Sequence, residues 1–271
     1  RDSVRTKAMA LVGASIWLMF ALSPVLSPLL AGWIGLSGLF ALTALLAVLG
    51  AAVVIWSVPP EPVLHKDAAR GGLRQVLAMP ALLRLNVGVF VLHAVQLAMW
   101  VAVPALLVQA GLQTGQHWQV YLPAVLVSFL FLGVVFAMER RGHLKKVFLL
   151  SIALIAVVEL GLFLQTVGTT RLSAMAVLLL VFFCGFNALE ATQPSLASRI
   201  APRALRGTAM GVYNTLQSLG FFVGGLMGGW LVKSWGSPAL FLCCALALLA
   251  WLLVAWPMQT PGRGAAPPPT A

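Results

Sequence analysis

Residues 147–166 read VFLLSIALIAVVELGLFLQT, an apolar run whose single charged side chain is Glu159. About 20 residues of apolar α-helix are needed to cross the roughly 30 Å hydrocarbon core of a bilayer. Charged residues lie on both flanks of the run, Lys145 and Lys146 before it and Arg171 after it. The stretch therefore predicts a membrane-spanning helix.

Seven further runs of this kind occur along the 271 residues, of which 61% are hydrophobic and 8% are charged. An ordinary soluble domain has about 25% charged residues, so this much apolar surface indicates lipid as part of the solvent. The predicted fold is an all-α integral membrane protein with eight transmembrane helices. Their approximate bounds are 8–31, 36–58, 85–110, 118–138, 147–166, 172–199, 207–232 and 236–257.

The 17 Lys and Arg residues give a formal net charge of +11 and lie between the apolar runs. They do not form the basic stripe interleaved with aromatics that a nucleic-acid groove requires, so nucleic acid is not a predicted partner. Alternate loops and the termini place 15 of them on one side of a membrane, and only Arg171 and Lys233 lie on the other. Cytoplasmic loops are the Lys/Arg-rich ones. Both ends of the chain are therefore predicted to be cytoplasmic.

The sequence contains neither a metal-binding pattern nor a common catalytic motif. The three cysteines, Cys184, Cys243 and Cys244, all fall inside apolar runs and lack metal-ligand spacing. No Gly-x-Ser-x-Gly, no His-Glu-x-x-His and no intramembrane Asp pair is present. We predict no metal, no cofactor and no enzymatic activity.

A shift of 201 residues aligns residues 5–50 with 206–251 without a gap and gives 11 identities in 46 positions. Arg-x-x-Ala-Met begins both segments, and Gly35 falls on Gly236 at the predicted hairpin turn. An offset of this length covers six helices, so the repeat unit is a six-helix bundle, as in many transporters. The predicted domains are the last two helices of one bundle (1–58), an inter-bundle cytoplasmic loop (59–83), a complete second bundle (84–257) and a disordered tail (258–271). Since the first two spans are the last two of a six-helix bundle, four further helices are expected upstream of Arg1, and a start without Met suggests truncation.

Two six-helix bundles joined by a basic loop resemble the major facilitator superfamily, whose carriers have twelve helices. Residues 13–32, GASIWLMFALSPVLSPLLAG, are similar to the antiporter motif in the fifth helix of its drug:proton antiporters. Pro24 and Pro28 fit that motif, whereas Ser23 and Ser27 stand where the family has glycines. Serine still permits close helix approach, and the resemblance implies an antiporter.

Two more segments carry the resemblance. The loop after residue 138 resembles a cytoplasmic motif that latches one conformation of these carriers, and a plain positive-inside anchor explains its basic residues equally well. Its members are Glu139, Arg140, Arg141, Gly142 and Lys145. Residues 186–201 with the following Pro202 and Arg206-Gly-Thr-Ala-Met-Gly resemble the tenth and eleventh helices of proton-driven exporters of the superfamily.

Ionisable side chains at membrane depth are functional candidates, because a charge there costs several kcal/mol. His93 lies nine residues beyond Arg84, about 14 Å deep, and Glu190 lies ten residues before Ile200, about 15 Å deep. We expect the two to meet at one level. The resemblance implies that their helices line a central cavity, together with the polar and aromatic candidates Gln96, Trp100, Asn187, Asn214 and Gln217.

The functional hypothesis is that Glu190 takes up and releases a proton and that His93 shares its charge. The alternative is that both simply tie two helices together by hydrogen bonds. Trp100 could contact substrate or serve core packing. Glu159 is expected at the interface with a snorkelling carboxylate. Gly220, Gly224 and Gly228 form a small-residue ridge for helix packing, and its partner, the second helix in the family, is absent here, so we expect the ridge to be exposed.

Taken together, the sequence predicts a secondary transporter in the bacterial inner membrane, coupled to protons and exporting small, often lipophilic molecules. A uniporter or symporter of a small metabolite remains open, and so does a non-transporting membrane scaffold. The predicted partners are the lipid bilayer, protons, a small-molecule substrate and the four missing helices of the same protein.

Overall fold

The computed structural model describes residues 2–58 and 72–258 of the chain. It divides into two compact units, residues 1–68 and residues 69–271. Most of the predicted inter-bundle loop (59–71) and nearly all of the predicted tail (259–271) lie outside the described residues.

Helices account for nearly all of the described chain. The first unit holds one helix, α1 (Asp2–Ser57). The second unit holds α2 (Gly72–Ala78), α3 (Pro80–Gln109), α4 (Trp118–Arg140), α5 (Leu144–Val167), α6 (Leu172–Ile200) and α7 (Arg206–Ala255). Among the described residues, six helices are long and apolar enough to cross a membrane, so the all-α membrane class is as predicted.

The predicted count of eight transmembrane helices is not matched. Residues 2–58 and 72–258 form seven α-helices, and two of the predicted pairs of spans are each a single continuous helix. The spans 8–31 and 36–58 fall within α1, and the spans 207–232 and 236–257 fall within α7. A single glycine, rather than a loop, joins the two halves of each long helix. Gly35 has φ 68° and ψ 177°, and Gly236 has φ 82° and ψ 173°. This region of backbone space is essentially open only to glycine, and the two glycines are the pair matched by the 201-residue repeat.

The chain reverses direction at Gly236, as contacts of α7 with α3 show. A β-carbon added at Gly220 would lie 2.5 Å from the carbonyl oxygen of Phe90, while one added at Gly88 would lie 2.7 Å from Nε1 of Trp251. Gly220 and Trp251 therefore lie beside nearly the same turn of α3. In a straight helix they would be about 46 Å apart. Gly236 thus makes a helical hairpin of α7.

A short helix occupies part of the predicted inter-bundle loop. Residues 72–78 form α2, and α3 begins at Pro80 rather than near residue 85. Proline is favoured in the first turn of a helix, where its missing N–H leaves no bond unmade. α1 begins at Asp2 rather than near residue 8. The remaining predicted ends that have an observed counterpart differ from it by three residues or fewer, which is the usual uncertainty of a predicted helix boundary.

The second unit has an apolar interior and an apolar exterior. Trp251, Phe148 and Phe241 are among its largest fully buried side chains, whereas Leu130 and Leu253 are 78% and 76% exposed. A soluble protein rarely shows large apolar patches to water. The exposed aliphatic surface suits contact with lipid.

The glycine ridge of α7 packs against α3, so the expectation of an exposed ridge was wrong. Added β-carbons at Gly220 and Gly228 would lie within 3 Å of the α3 backbone, and one at Gly224 would collide with the carbonyl oxygen of Ala94. The ridge therefore finds its partner inside the same bundle. Its small residues allow the α3 and α7 backbones to approach closely.

Candidate proton and substrate site

His93 is the centre of a polar cluster on α3, and its side chain is 1% exposed. Its ring Nδ1 lies 2.8 Å from the carbonyl oxygen of Val89, one turn earlier in the same helix. A carbonyl oxygen only accepts hydrogen bonds, so Nδ1 donates and carries a hydrogen. This contact fixes the orientation of the ring and leaves Nε2 to face the neighbouring helices.

Two side chains from other helices approach the same ring nitrogen. Oε1 of Glu190 on α6 lies 3.1 Å from Nε2 of His93, and the side-chain nitrogen of Gln217 on α7 lies 2.8 Å from it. Glu190 is 27% exposed, far more than His93. The three residues, called the His93 site below, therefore connect α3, α6 and α7, and Glu190 is their partly exposed member.

Aromatic rings enclose the imidazole on two sides. Phe221 of α7 and Phe186 of α6 contact it edge-on, with ring centroids 4.7 Å and 5.9 Å away. Apolar walls lower the local dielectric and strengthen the interaction between His93 and Glu190. The arrangement can hold a proton between an imidazole and a carboxyl group.

The other predicted cavity residues differ in their exposure and in their contacts. Gln96, one turn after His93, is almost buried, and its Oε1 has no hydrogen-bond partner in the described chain. Asn214 is exposed. Trp100 is partly buried and stacks edge-on against Tyr121 of α4 at 5.0 Å. Gln96 and Trp100 extend along α3 from the His93 site, whereas Asn214 does not join it.

Asn187 lies away from Glu190, in the interior between α4 and α6. Its Nδ2 donates to Oγ of Ser128 at 2.7 Å, and both side chains are almost completely buried. The sequence grouped Asn187 with Glu190 as a cavity candidate, but Glu190 turns towards α3 and Asn187 towards α4. Asn187 holds two helices together and does not border the His93 site.

Sequence reasoning missed a second polar contact near Glu190. The hydroxyl of Tyr213 on α7 donates to Oε1 of Gln193 on α6 at 3.3 Å, and both residues are buried. Gln193 follows Glu190 by three residues, which places it on the neighbouring turn of one face. That spacing was the signal that could have identified it.

The predicted gating loop forms one ion pair. Oε1 of Glu139 at the end of α4 lies 2.7 Å from Nη2 of Arg199 at the end of α6. Arg140, Arg141 and Gly142 are exposed, and Gly142 has a φ of 82° that ends α4 in a tight turn. Lys145 is partly buried in the first turn of α5. The loop therefore links α4 to α6 through Glu139.

The antiporter-like motif lies in α1, in the first unit. Ser23 and Ser27 are exposed within that helix, and the side chains of Pro24 and Pro28 lie outside the described set. The motif stays a prediction.

Glu159 is buried, so the prediction of a snorkelling interfacial carboxylate was wrong. Its side chain is 0% exposed, and neither carboxylate oxygen has a hydrogen-bond partner among the described residues. Glu159 lies on the face of α5 that meets α7, near Cys244. Glu159 lies twelve residues beyond Val147, the start of the apolar run. This distance was compatible with a position near the membrane–water interface, but it does not determine the direction of the side chain.

Within residues 2–58 and 72–258, no group of three or more His, Cys, Asp and Glu could hold a metal ion. The His93 site offers one imidazole and one carboxylate, which suits proton exchange rather than metal coordination.

Comparison with known proteins gives the family. The sequence model of the Major Facilitator Superfamily matches residues 1–225 and 137–271. The chain is 38% identical over 267 residues to the inner membrane transport protein YajR of Escherichia coli (strain K12), covering 96% of this chain and 58% of that protein. It is 28% identical over 230 residues to the uncharacterized transporter BU466 of Buchnera aphidicola (subsp. Acyrthosiphon pisum), covering 83% of this chain and 58% of that one.

The chain thus spans less than two thirds of the length of these relatives. Both are transporters by name, and the family match extends over the whole chain. These matches, with the apolar helices and the buried polar contact between α3 and α6, lead to one conclusion. The chain belongs to the Major Facilitator Superfamily of membrane transporters.

Proposed function

We propose that this chain is part of a secondary active transporter of the inner membrane that exports small, often lipophilic molecules in exchange for protons. One observation carries the proposal: the carboxylate of Glu190 lies 3.1 Å from the imidazole of His93, between two helices of the bundle. The similarity to YajR, an inner membrane transport protein by name, supports the location.

The proton would bind at Glu190 and His93. An ionised Glu190 beside a neutral imidazole at membrane depth is unfavourable, because a charge without a counter-charge costs several kcal/mol there. Uptake of one proton removes that cost, either by neutralising the carboxyl group or by creating an imidazolium that pairs with it. Proton binding therefore changes the interaction between α3 and α6.

Alternating access requires such a change. Carriers of this kind expose a central site to one side at a time, as one helix bundle rocks against the other. A proton at Glu190 and a substrate beside it would then occupy the site in turn. The partly exposed carboxylate and the apolar rings of Phe186 and Phe221 suit a lipophilic substrate.

We further propose eight membrane crossings with both ends of the chain in the cytoplasm, within a carrier of two six-helix bundles. Helices of 56 and 50 residues measure about 84 Å and 75 Å when straight, more than twice the roughly 30 Å of a bilayer core. Two crossings in α1 are supported by the non-helical Gly35, and two crossings in α7 by the non-helical Gly236. The support for a larger carrier is the 58% coverage of the relatives.

The test is transport in proteoliposomes containing the complete protein to which this chain belongs, with and without a pH gradient. A panel of lipophilic fluorescent dyes serves as substrate. We expect the gradient to accelerate transport in the wild type and to have no effect in Glu190→Gln, because the amide cannot release a proton. Glu159→Gln is the matched control, since it removes the other intramembrane acid of the bundle, and it should keep the response.

Transport in Glu190→Gln that still follows the gradient would contradict the proposal. Equal response to the gradient in all variants, with transport of one metabolite in the opposite direction, would instead support a symporter.

A further inference from the structure

Two side chains lie within hydrogen-bonding distance of Nε2 of His93, and this nitrogen cannot bond to both of them in one protonation state. One partner is Oε1 of Glu190 at 3.1 Å, and the other is the side-chain nitrogen of Gln217 at 2.8 Å. Nδ1 takes no part in this competition, because it donates to the carbonyl oxygen of Val89 at 2.8 Å.

In the neutral imidazole only one ring nitrogen carries a hydrogen. Since Nδ1 carries it, Nε2 is an acceptor, and the N–H of Gln217 donates to it. An ionised Glu190 then faces a second acceptor across 3.1 Å, which is unfavourable. The neutral form of His93 therefore favours Gln217 on α7.

In the imidazolium Nε2 carries a hydrogen as well and becomes a donor. It now donates to the carboxylate of Glu190, and this charge-assisted bond is stronger than the neutral bond it replaces. The N–H of Gln217 faces another N–H, so the amide must either withdraw or turn over and present its oxygen. The charged form of His93 therefore favours Glu190 on α6.

We infer that Gln217 is a positioning residue that holds His93 in its unprotonated, Nδ1–H form and gives up this bond when the proton arrives. This role rests on the proposed function of Glu190 and His93 in proton coupling. A proton held by Glu190 crosses to Nε2, leaving a carboxylate opposite an imidazolium, and the amide on α7 is then released. Protonation thus changes the hydrogen-bond partner of Nε2 from Gln217 on α7 to Glu190 on α6.

The groups that face His93 are few. Glu190 faces it from α6 and the rings of Phe186 and Phe221 from α6 and α7. Tyr213 of α7 lies near Glu190 and bonds to Gln193. Among these groups of the described chain, Glu190 is the one carboxyl group that faces the imidazole. The protonation of His93 is therefore expected to depend mainly on Glu190 and Gln217.

The experiment is nitrogen NMR of the complete protein, labelled with ¹⁵N-histidine in lipid, across a pH series. The signal of His93 is assigned by its loss in His93→Gln. At alkaline pH we expect a protonated Nδ1 and a bare Nε2. Gln217→Met keeps the length but not the donor, so the midpoint of His93 protonation should rise, corresponding to a roughly threefold to tenfold gain in proton affinity. Glu190→Gln should lower the midpoint.

Ser218→Ala is the matched control on the same turn of α7. The Ser218 hydroxyl donates to the Asn214 carbonyl of its own helix, so its loss should leave the midpoint unchanged. Should Gln217→Met fail to fold, Gln217→Leu tests the same point, since it also removes the N–H donor and adds no charge. A bare Nδ1 at alkaline pH, or an unchanged or lowered midpoint in the Gln217 variant, would overturn the inference.

The two proposals fail separately. A titration of His93 that ignores Gln217, together with gradient-driven transport that depends on Glu190, would remove this inference and keep the proposed function. If the titration shifts as expected but a pH gradient has no effect on transport, the proposed function is lost and the role of Gln217 in His93 protonation is kept.

Discussion

Glu159 is a buried side chain that is expected to destabilise the interior of the bundle. It lies on α5 with no exposure, and both of its carboxylate oxygens lack a partner within the described part of the chain. A buried polar group without a hydrogen bond costs about 1–3 kcal/mol, and a bare charge costs far more. The carboxyl group is therefore expected to be neutral.

Replacement of Glu159 by leucine should stabilise the protein. Leucine has a similar size and brings no unsatisfied polar atom, so we expect the free energy of unfolding to rise by about 1–3 kcal/mol. Thermal unfolding in detergent measures this change, and Glu159→Gln, which keeps a polar end, should differ little from the wild type. A lower unfolding temperature for Glu159→Leu would show that the carboxyl group makes a stabilising interaction.

Residue positions along the chain predicted part of the His93 site. Counting from Arg84 and Ile200 placed His93 and Glu190 at about equal depth, and the structure brings them to 3.1 Å. Asn187 was expected beside them in the cavity but bonds to Ser128 instead. Depth follows from residue number, whereas direction around the helix depends on which neighbour packs there.

Among the helices, α3 and α7 make the closest contact, and glycines allow it. The β-carbon missing from Gly224 would meet Ala94 Cα at 2.7 Å, whereas nothing lies within 4 Å of the corresponding position at Gly229. The spacing of the ridge predicted a close helix crossing. Its partner could not be predicted, because the sequence does not say which helix presents a matching groove.

Gly224→Ala and Gly229→Ala form a matched pair that tests this packing. We expect Gly224→Ala to destabilise the bundle by about 1–3 kcal/mol or more, since the added methyl group meets rigid backbone. Gly229→Ala should be neutral or slightly stabilising, because alanine favours the helix and meets no neighbour. The measurement is the thermal unfolding midpoint of each variant in detergent. Equal effects of both substitutions would argue that helix propensity, not packing, controls the result.

For the molecule as a whole, orientation in the membrane follows from charge. Of the 17 Lys and Arg residues, 15 fall on one predicted side and two on the other, which predicts that the rich side is cytoplasmic. Thr114 lies in an exposed turn predicted to be on the side poor in Lys and Arg. His143 is exposed in the loop between Arg141 and Lys145, which is predicted to be on the rich side.

Cysteine labelling in intact cells tests this orientation. Single cysteines at Thr114 and His143 are placed in a variant whose native Cys184, Cys243 and Cys244 are replaced. A membrane-impermeant maleimide should label Thr114→Cys in intact cells and His143→Cys only after the membrane is opened. The opposite pattern would invert the proposed topology, and labelling of both sites in intact cells would argue against a spanning segment between them.

The sequence by itself determined the lipid-facing character of this protein, its helices and their approximate ends, because the length of an apolar run and the charges beside it are local properties of the chain. Only the tertiary structure decided that Glu159 is buried, that Asn187 bonds to Ser128, and that Gln217 meets His93. The physical reason is that lipid and the bundle interior are both apolar, so that helical periodicity marks the inner face only weakly. Which side chains meet is then fixed by how the helices pack.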